Sequence, residues 1–240
     1  MSSGYRSLRI GNVAAYLVTI IVNTLPINGV TTGEVSGSYA NLFTPAGYVF
    51  SIWLIIYLLM AGFTYHQYRA DNGLHEKIDI LFILSCLFNS AWVFLWHYRL
   101  LFLSLFAMLG LLGTLFLIYM RLDVGLARVS GDENWMVQVP FSVYFSWVTV
   151  ASIANCVAFL VGVGWDGFNQ AAINLTVGLI VVVMALTLIN TYIWGDVAYA
   201  AVMVWALVGI LVKQMGTPMI PETAGAAIVI IIIGVALKKS

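Results

Sequence analysis

The side chains of this sequence that could do chemistry are aromatic rings and amides rather than acids, thiols or imidazoles. Trp53, Tyr57 and Met60 share one helical face, Asn89, Trp92 and Trp96 another. Tyr144, Trp147, Ala151 and Asn155 fall within about a quarter of a third helix's circumference. Asn12, Tyr16, Thr19 and Asn23 recur at i, i+4, i+7 and i+11, a polar stripe on a fourth. Rings so placed offer flat stacking faces, and the Asn and Tyr groups a few polar anchors, as a pocket for a flat hydrophobic ligand requires. The more ordinary reading of the same residues is helix packing, with amides bonded between helices and tryptophans at the membrane interface. That interfacial reading suits Trp96, Trp135, Trp165 and Trp194, near the ends of apolar segments. Trp92 and Trp147 lie deeper, where an indole N–H must find a partner.

Other chemistries have little to work with. Cys86 and Cys156 fall at different depths of different segments, so no disulfide is expected between them. There is no CxxC, no Cys/His cluster, no HExxH and no phosphate-cradling glycine loop, so no metal or covalently bound cofactor is expected. His66 and His97 end two segments at opposite faces and His75 lies in a loop, so His66 and His97 cannot clamp one haem iron. With no acid-base pair in view, the expectation is binding rather than catalysis.

The elements that must position these residues are membrane helices. Of 240 residues, 62% are hydrophobic and 8% charged, with zero net charge, which leaves too few polar residues for a water-facing shell. The same balance removes nucleic acid as a partner. About eight apolar stretches approach spanning length: Ile10–Ile27, Ala46–Tyr65, Ile80–His97, Leu101–Met120, Val139–Val163, Ala171–Trp194, Val197–Val212 and Thr223–Leu237. Trp194-Gly195-Asp196 reads as a tight turn between two helices, and the last stretch reads as short, starting at Pro221 and Glu222. The fold expected is an all-α polytopic bundle. No acid or base lies well inside a stretch; Asp79, Asp123, Asp166, Asp196 and Glu222 lie at ends or in loops. With the N-terminus in the cytoplasm, Arg6, Arg9, Arg69, Lys77, Arg121, Arg128, Lys238 and Lys239 fall inside and only Arg99 and Lys213 outside. That bias predicts a multi-pass cell-membrane protein with both termini cytoplasmic. Arg6 and Arg9 before an apolar run resemble a secretory leader. Asn12, Asn23 and Pro26 interrupt that run and no small-residue cleavage site follows, so it reads as a first span.

Three of the aromatic segments resemble the TspO family of tryptophan-rich sensory or translocator proteins. They are Phe43-Thr-Pro-Ala-Gly-Tyr-Val-Phe-Ser-Ile-Trp-Leu-Ile-Ile-Tyr-Leu-Leu-Met60, Leu87-Phe-Asn-Ser-Ala-Trp92 and Tyr144-Phe-Ser-Trp-Val-Thr-Val-Ala-Ser-Ile-Ala-Asn155. They resemble the family's loop and second helix, its third-helix Leu-x-Asn-x-x-Trp, and its fifth-helix Trp-to-Asn spacing. Three departures bear on pocket shape. Tyr48 replaces the loop tryptophan, Phe50 to Trp53 is one residue shorter than the family spacing, and Val143 stands for a proline, with Pro140 a turn earlier. The resemblance implies a TspO-like five-helix unit over 1–165, followed by three additional helices over 166–240 in a longer subgroup. It further implies a sensor-like binding protein for porphyrins, other tetrapyrroles or sterol-like molecules, held under the loop joining the first two helices. The ligand-binding residues it implies are Tyr48, Phe50, Trp53, Tyr57, Asn89, Trp92, Tyr144, Trp147 and Asn155. Family members are linked to tetrapyrrole regulation and, in phototrophs, to pigment control. The alternatives are a carrier of a neutral or amphipathic solute, or a structural subunit. Membrane lipids, a larger membrane complex and a homodimer are the partners envisaged.

Overall fold

The computed structural model describes residues 3–25, 27–69 and 78–239. Its helices are α1 (Ser3–Thr24), α2 (Thr32–Ser38), α3 (Ile52–Arg69), α4 (Asp79–His97), α5 (Leu101–Arg121), α6 (Gly131–Glu133), α7 (Val139–Gly162), α8 (Gln170–Trp194), α9 (Val197–Lys213) and α10 (Ile220–Lys239). No strand occurs among the described residues. Among the described residues, seven helices are long and apolar enough to cross a bilayer, and the chain is a polytopic helical membrane protein. The short helix is α9, not the last one as expected. At about 1.5 Å per residue its 17 residues reach less than the roughly 30 Å of a hydrocarbon core. By contrast α10 starts at Ile220, ahead of the apolar run, and takes Pro221 in its first turn, where a missing N–H costs no helix bond.

Each long segment starts or stops where the local chemistry requires. Asn169 caps α8 by accepting from the Ala172 N–H, and Asp196 caps α9 by accepting from the Tyr199 N–H. Between those two helices Gly195 takes a left-handed φ of 65°, which a side chain rarely adopts, so the expected tight turn is present. A capping box of Ser130 and Glu133 opens α6, which continues through a widened turn at Asn134–Gln138 into α7, with Pro140 in its first turn.

Helices α1, α4, α5, α7 and α3 contact one another in that cyclic order and close a five-membered ring. Outside it α9 packs on α7, and α8 and α10 pack on α9 and on each other. The division at 165/166 falls in the connection between α7 and α8. The polar stripe of α1 joins this ring together. The Asn12 amide donates to Gln67 Oε1 at 3.0 Å and Asp79 Oδ1 at 2.7 Å, the Tyr16 hydroxyl to the Tyr57 carbonyl at 2.9 Å, and the Asn23 amide to Asn89 Oδ1 at 2.7 Å. Every one of these groups would cost free energy if left unmet in hydrocarbon, so the stripe fixes the rotation of α1 against α3 and α4.

Asp79 and Asp196 do lie at helix starts, yet both are buried. Asp196 Oδ2 accepts from Ser142 Oγ at 2.6 Å and from the Tyr119 hydroxyl at 2.9 Å, donors that stand in for water at the positive end of the α9 dipole. Cys86 and Cys156 are both free thiols. The Lys77 and His75 placements lie outside the described residues.

At the end of the ring where α1 stops and α3 starts, residues 27–51 fold into a roof. Thr31 and Glu34 form a capping box at α2, and the Thr31 donors hold the Glu34 carboxyl below its ordinary range. Asn41 Oδ1 accepts from the N–H groups of Phe43 and Thr44 at 3.0 and 2.9 Å, which folds the turn back, and Phe43 and Val49 are wholly buried beneath it.

Candidate functional site

Under this roof lies a slot walled by rings. Trp53 of α3 stacks on Trp92 of α4, with centroids 5.8 Å apart and planes 25° apart, and Trp92 stacks in turn on Trp96 at 5.9 Å and 23°. Tyr57 continues the pile on the other side of Trp53, at 5.7 Å and 20°. One wall is therefore a column of four roughly parallel rings. The facing wall comes from α7, where Trp147, Val150, Ala151, Ala154 and Asn155 line the slot; Trp147 meets Trp53 edge-on at 6.2 Å and 89°. Small residues at 151 and 154 keep that wall low, and Thr32, Ser36, Pro45 and Phe50 close the top.

The polar groups are few. Trp92 and Trp147 are 5% and 2% exposed, and the indole N–H of each meets no acceptor. Asn155 Oδ1 accepts from Ser104 Oγ at 3.3 Å, which pins its amide. Below the slot, the Asn89 amide donates to the Tyr144 hydroxyl at 2.7 Å, and Tyr144 meets Trp53 edge-on at 6.1 Å. Among the described residues, no charged side chain lines the slot. Such a site accepts a neutral, flat, largely apolar body with hydrogen-bond acceptors on its edge. The free space inside is about 40 Å³, enough for a water or two and far below the roughly 300 Å³ of a small-ligand pocket.

Of the nine residues implied by the resemblance, Phe50, Trp53, Trp92, Trp147 and Asn155 line the slot. Tyr57, Asn89 and Tyr144 support it from below. Tyr48 is the exception. It is 45% exposed and packs edge-on against Trp205 at 5.4 Å, away from the slot. The single-residue shortening before Trp53 accompanies this: Gly47–Ser51 is a 3-10 turn that turns Phe50 inward and Tyr48 outward.

The interfacial reading of Trp96 is overturned. Trp96 is 4% exposed, lines the slot and donates from its indole to the Thr32 carbonyl at 3.2 Å, so it holds the roof rather than the lipid interface. Its place four residues after Trp92 was the signal, since i and i+4 share a face. Trp135 is 68% exposed. His97 is buried with Nδ1 on the Val93 carbonyl at 2.7 Å, and among the described residues no histidine lines the slot.

A helical membrane protein with an aromatic slot under a folded loop is the class that fold and geometry define. The chain belongs to the TSPO-like protein family, whose model matches residues 9–237 and so runs through α8, α9 and α10 as well as the ring. It is a membrane protein of the sensory and binding kind. No curated protein and no solved structure matches it.

Proposed function

We propose that the chain is a membrane receptor for a flat hydrophobic ligand, a tetrapyrrole or a molecule of similar shape, bound between the ring column and α7 and acting in regulation rather than catalysis. One observation carries this reading: two buried indole N–H groups without acceptors border a slot walled by ring faces. An unmet buried donor costs about 1–3 kcal/mol, and a carbonyl or other oxygen acceptor on the ligand edge relieves that cost. Any charged substituents on the ligand would remain at the roof, because no cation lies within the slot to meet them.

The test is titration of the detergent-purified protein with a metal-free porphyrin and with haem, following the Soret band and Trp fluorescence. Similar saturable shifts for both are expected, since stacking rather than an axial histidine supplies the affinity. No shift with either, or binding of haem alone that His97→Ala abolishes, would overturn the reading.

A further inference from the structure

The free space of about 40 Å³ in the slot is far too small for a tetrapyrrole, and the difference falls on the roof. Its segment from Pro45 to Phe50 is bound chiefly to α9, which lies outside the ring. The Ala46 N–H donates to the Gly209 carbonyl at 3.1 Å. The Trp205 indole donates to the Val49 carbonyl at 3.2 Å, across 156 residues of sequence, and its ring meets Tyr48 edge-on. Gly209 permits this approach: a Cβ there would collide with Val49 Cγ2 and lie 3.0 Å from Pro45 Cβ. Both flanks of this clamped stretch, Pro45 and Phe50, line the slot. The other half of the roof is held separately, by Trp96 on Thr32.

We propose that Trp205 and Gly209 of α9 are the residues that set the size of ligand the slot admits, by fixing the height of the Pro45–Phe50 roof. The proposal rests on the slot being the ligand site. A molecule as small as indole needs only local side-chain shifts within the slot, with the roof's bonds to α9 kept. A tetrapyrrole enters only when the two backbone-directed hydrogen bonds to α9 open, so α9 converts a stacking site into a size-selective one. Both hydrogen bonds end on backbone groups of the roof, at Ala46 and Val49.

The experiment uses the full chain with Ala154→Cys as a reporter inside the slot, in a Cys86→Ala, Cys156→Ala background. Maleimide labelling of residue 154 reads roof opening without any ligand, and stopped-flow fluorescence reads entry of a metal-free porphyrin and, for comparison, of indole. Trp205→Phe keeps the ring against Tyr48 and removes the donor; Gly209→Ala forces the roof away from α9. Losing one such bond shifts an opening equilibrium about two- to tenfold, so labelling and porphyrin association should both rise by that factor while indole association stays unchanged. Thermal unfolding by circular dichroism verifies that each variant is folded, and two variants guard against one failing. Unchanged labelling and porphyrin entry in folded Trp205→Phe and Gly209→Ala would overturn the proposal, as would equal acceleration of indole. Faster labelling in a protein that binds no porphyrin in any form would instead leave the α9 clamp standing and sink the tetrapyrrole reading.

Discussion

Trp92 and Trp147 present an unusual combination for buried indoles, a wholly packed ring with a donor that meets nothing in the protein. Replacing either by Phe removes an uncompensated donor along with some ring area, so the fold loses little while a bound ligand loses an anchor. Trp92→Phe and Trp147→Phe should each weaken porphyrin affinity by roughly 5- to 30-fold with a nearly unchanged melting temperature. Trp165→Phe, outside the slot, should leave both as they are. A Soret titration beside a thermal melt separates the two; parallel losses at all three positions would point to a general loosening of the bundle. At this scale the sequence was informative wherever helical phase governs: Trp53, Trp92, Trp147 and Asn155 share the slot because i and i+4 share a face. It was silent for Tyr48, whose direction is set by a 3-10 turn and a partner on α9.

Close packing in the ring is carried by small residues facing rings, and α5 supplies an internal comparison. Its Gly110 lies under the Phe88 ring of α4, where a Cβ would come within 2.5 Å of Phe88 Cε1, while Gly113, one turn on, has nothing within 4 Å. Gly110→Val should destabilise the protein by about 1–3 kcal/mol through overpacking of the α4–α5 contact. Gly113→Ala should be neutral or stabilising by up to about 1 kcal/mol, from helix propensity alone. Unfolding of the two variants in the same detergent decides the matter, and equal costs would show that glycine there serves flexibility instead of contact. Helix existence was readable from apolar run length, since each run is bounded by a polar or turn residue such as Asn169 or Gly195. Length was less so: counting apolar residues made both of the last two stretches short, but α10 gains a turn by beginning on Ile220-Pro221-Glu222, which leaves α9 as the short one.

At the scale of the molecule, seven spanning helices and the shorter α9 would together return the chain to the side from which it starts, provided α9 also crosses. A reporter fused after Ser240 and one fused before Met1 should therefore be accessible from the same side, and a cysteine at Val35 from the other; the bias of basic residues predicts that the shared side is the cytoplasm. Protease protection in oriented vesicles checks this, and opposite sides for the termini would mean that α9 does not cross. How α9 would meet the roof was beyond reading from the sequence, because neither Trp205 nor Gly209 carries a local signal for a partner more than 150 residues away. That separation has a temporal meaning. Residues 1–165 leave the ribosome with the ring column, the α7 wall and the roof segment all made, but the groups that fasten Ala46 and Val49 have yet to be synthesised. For the interval needed to translate and insert α8 and α9, on the order of seconds at ~5–20 residues per second, the slot stands with its roof unfastened. If the slot is the ligand site, a bulky ligand would meet its lowest barrier to entry during that interval, and completion of α9 would then close the roof over whatever had been taken up.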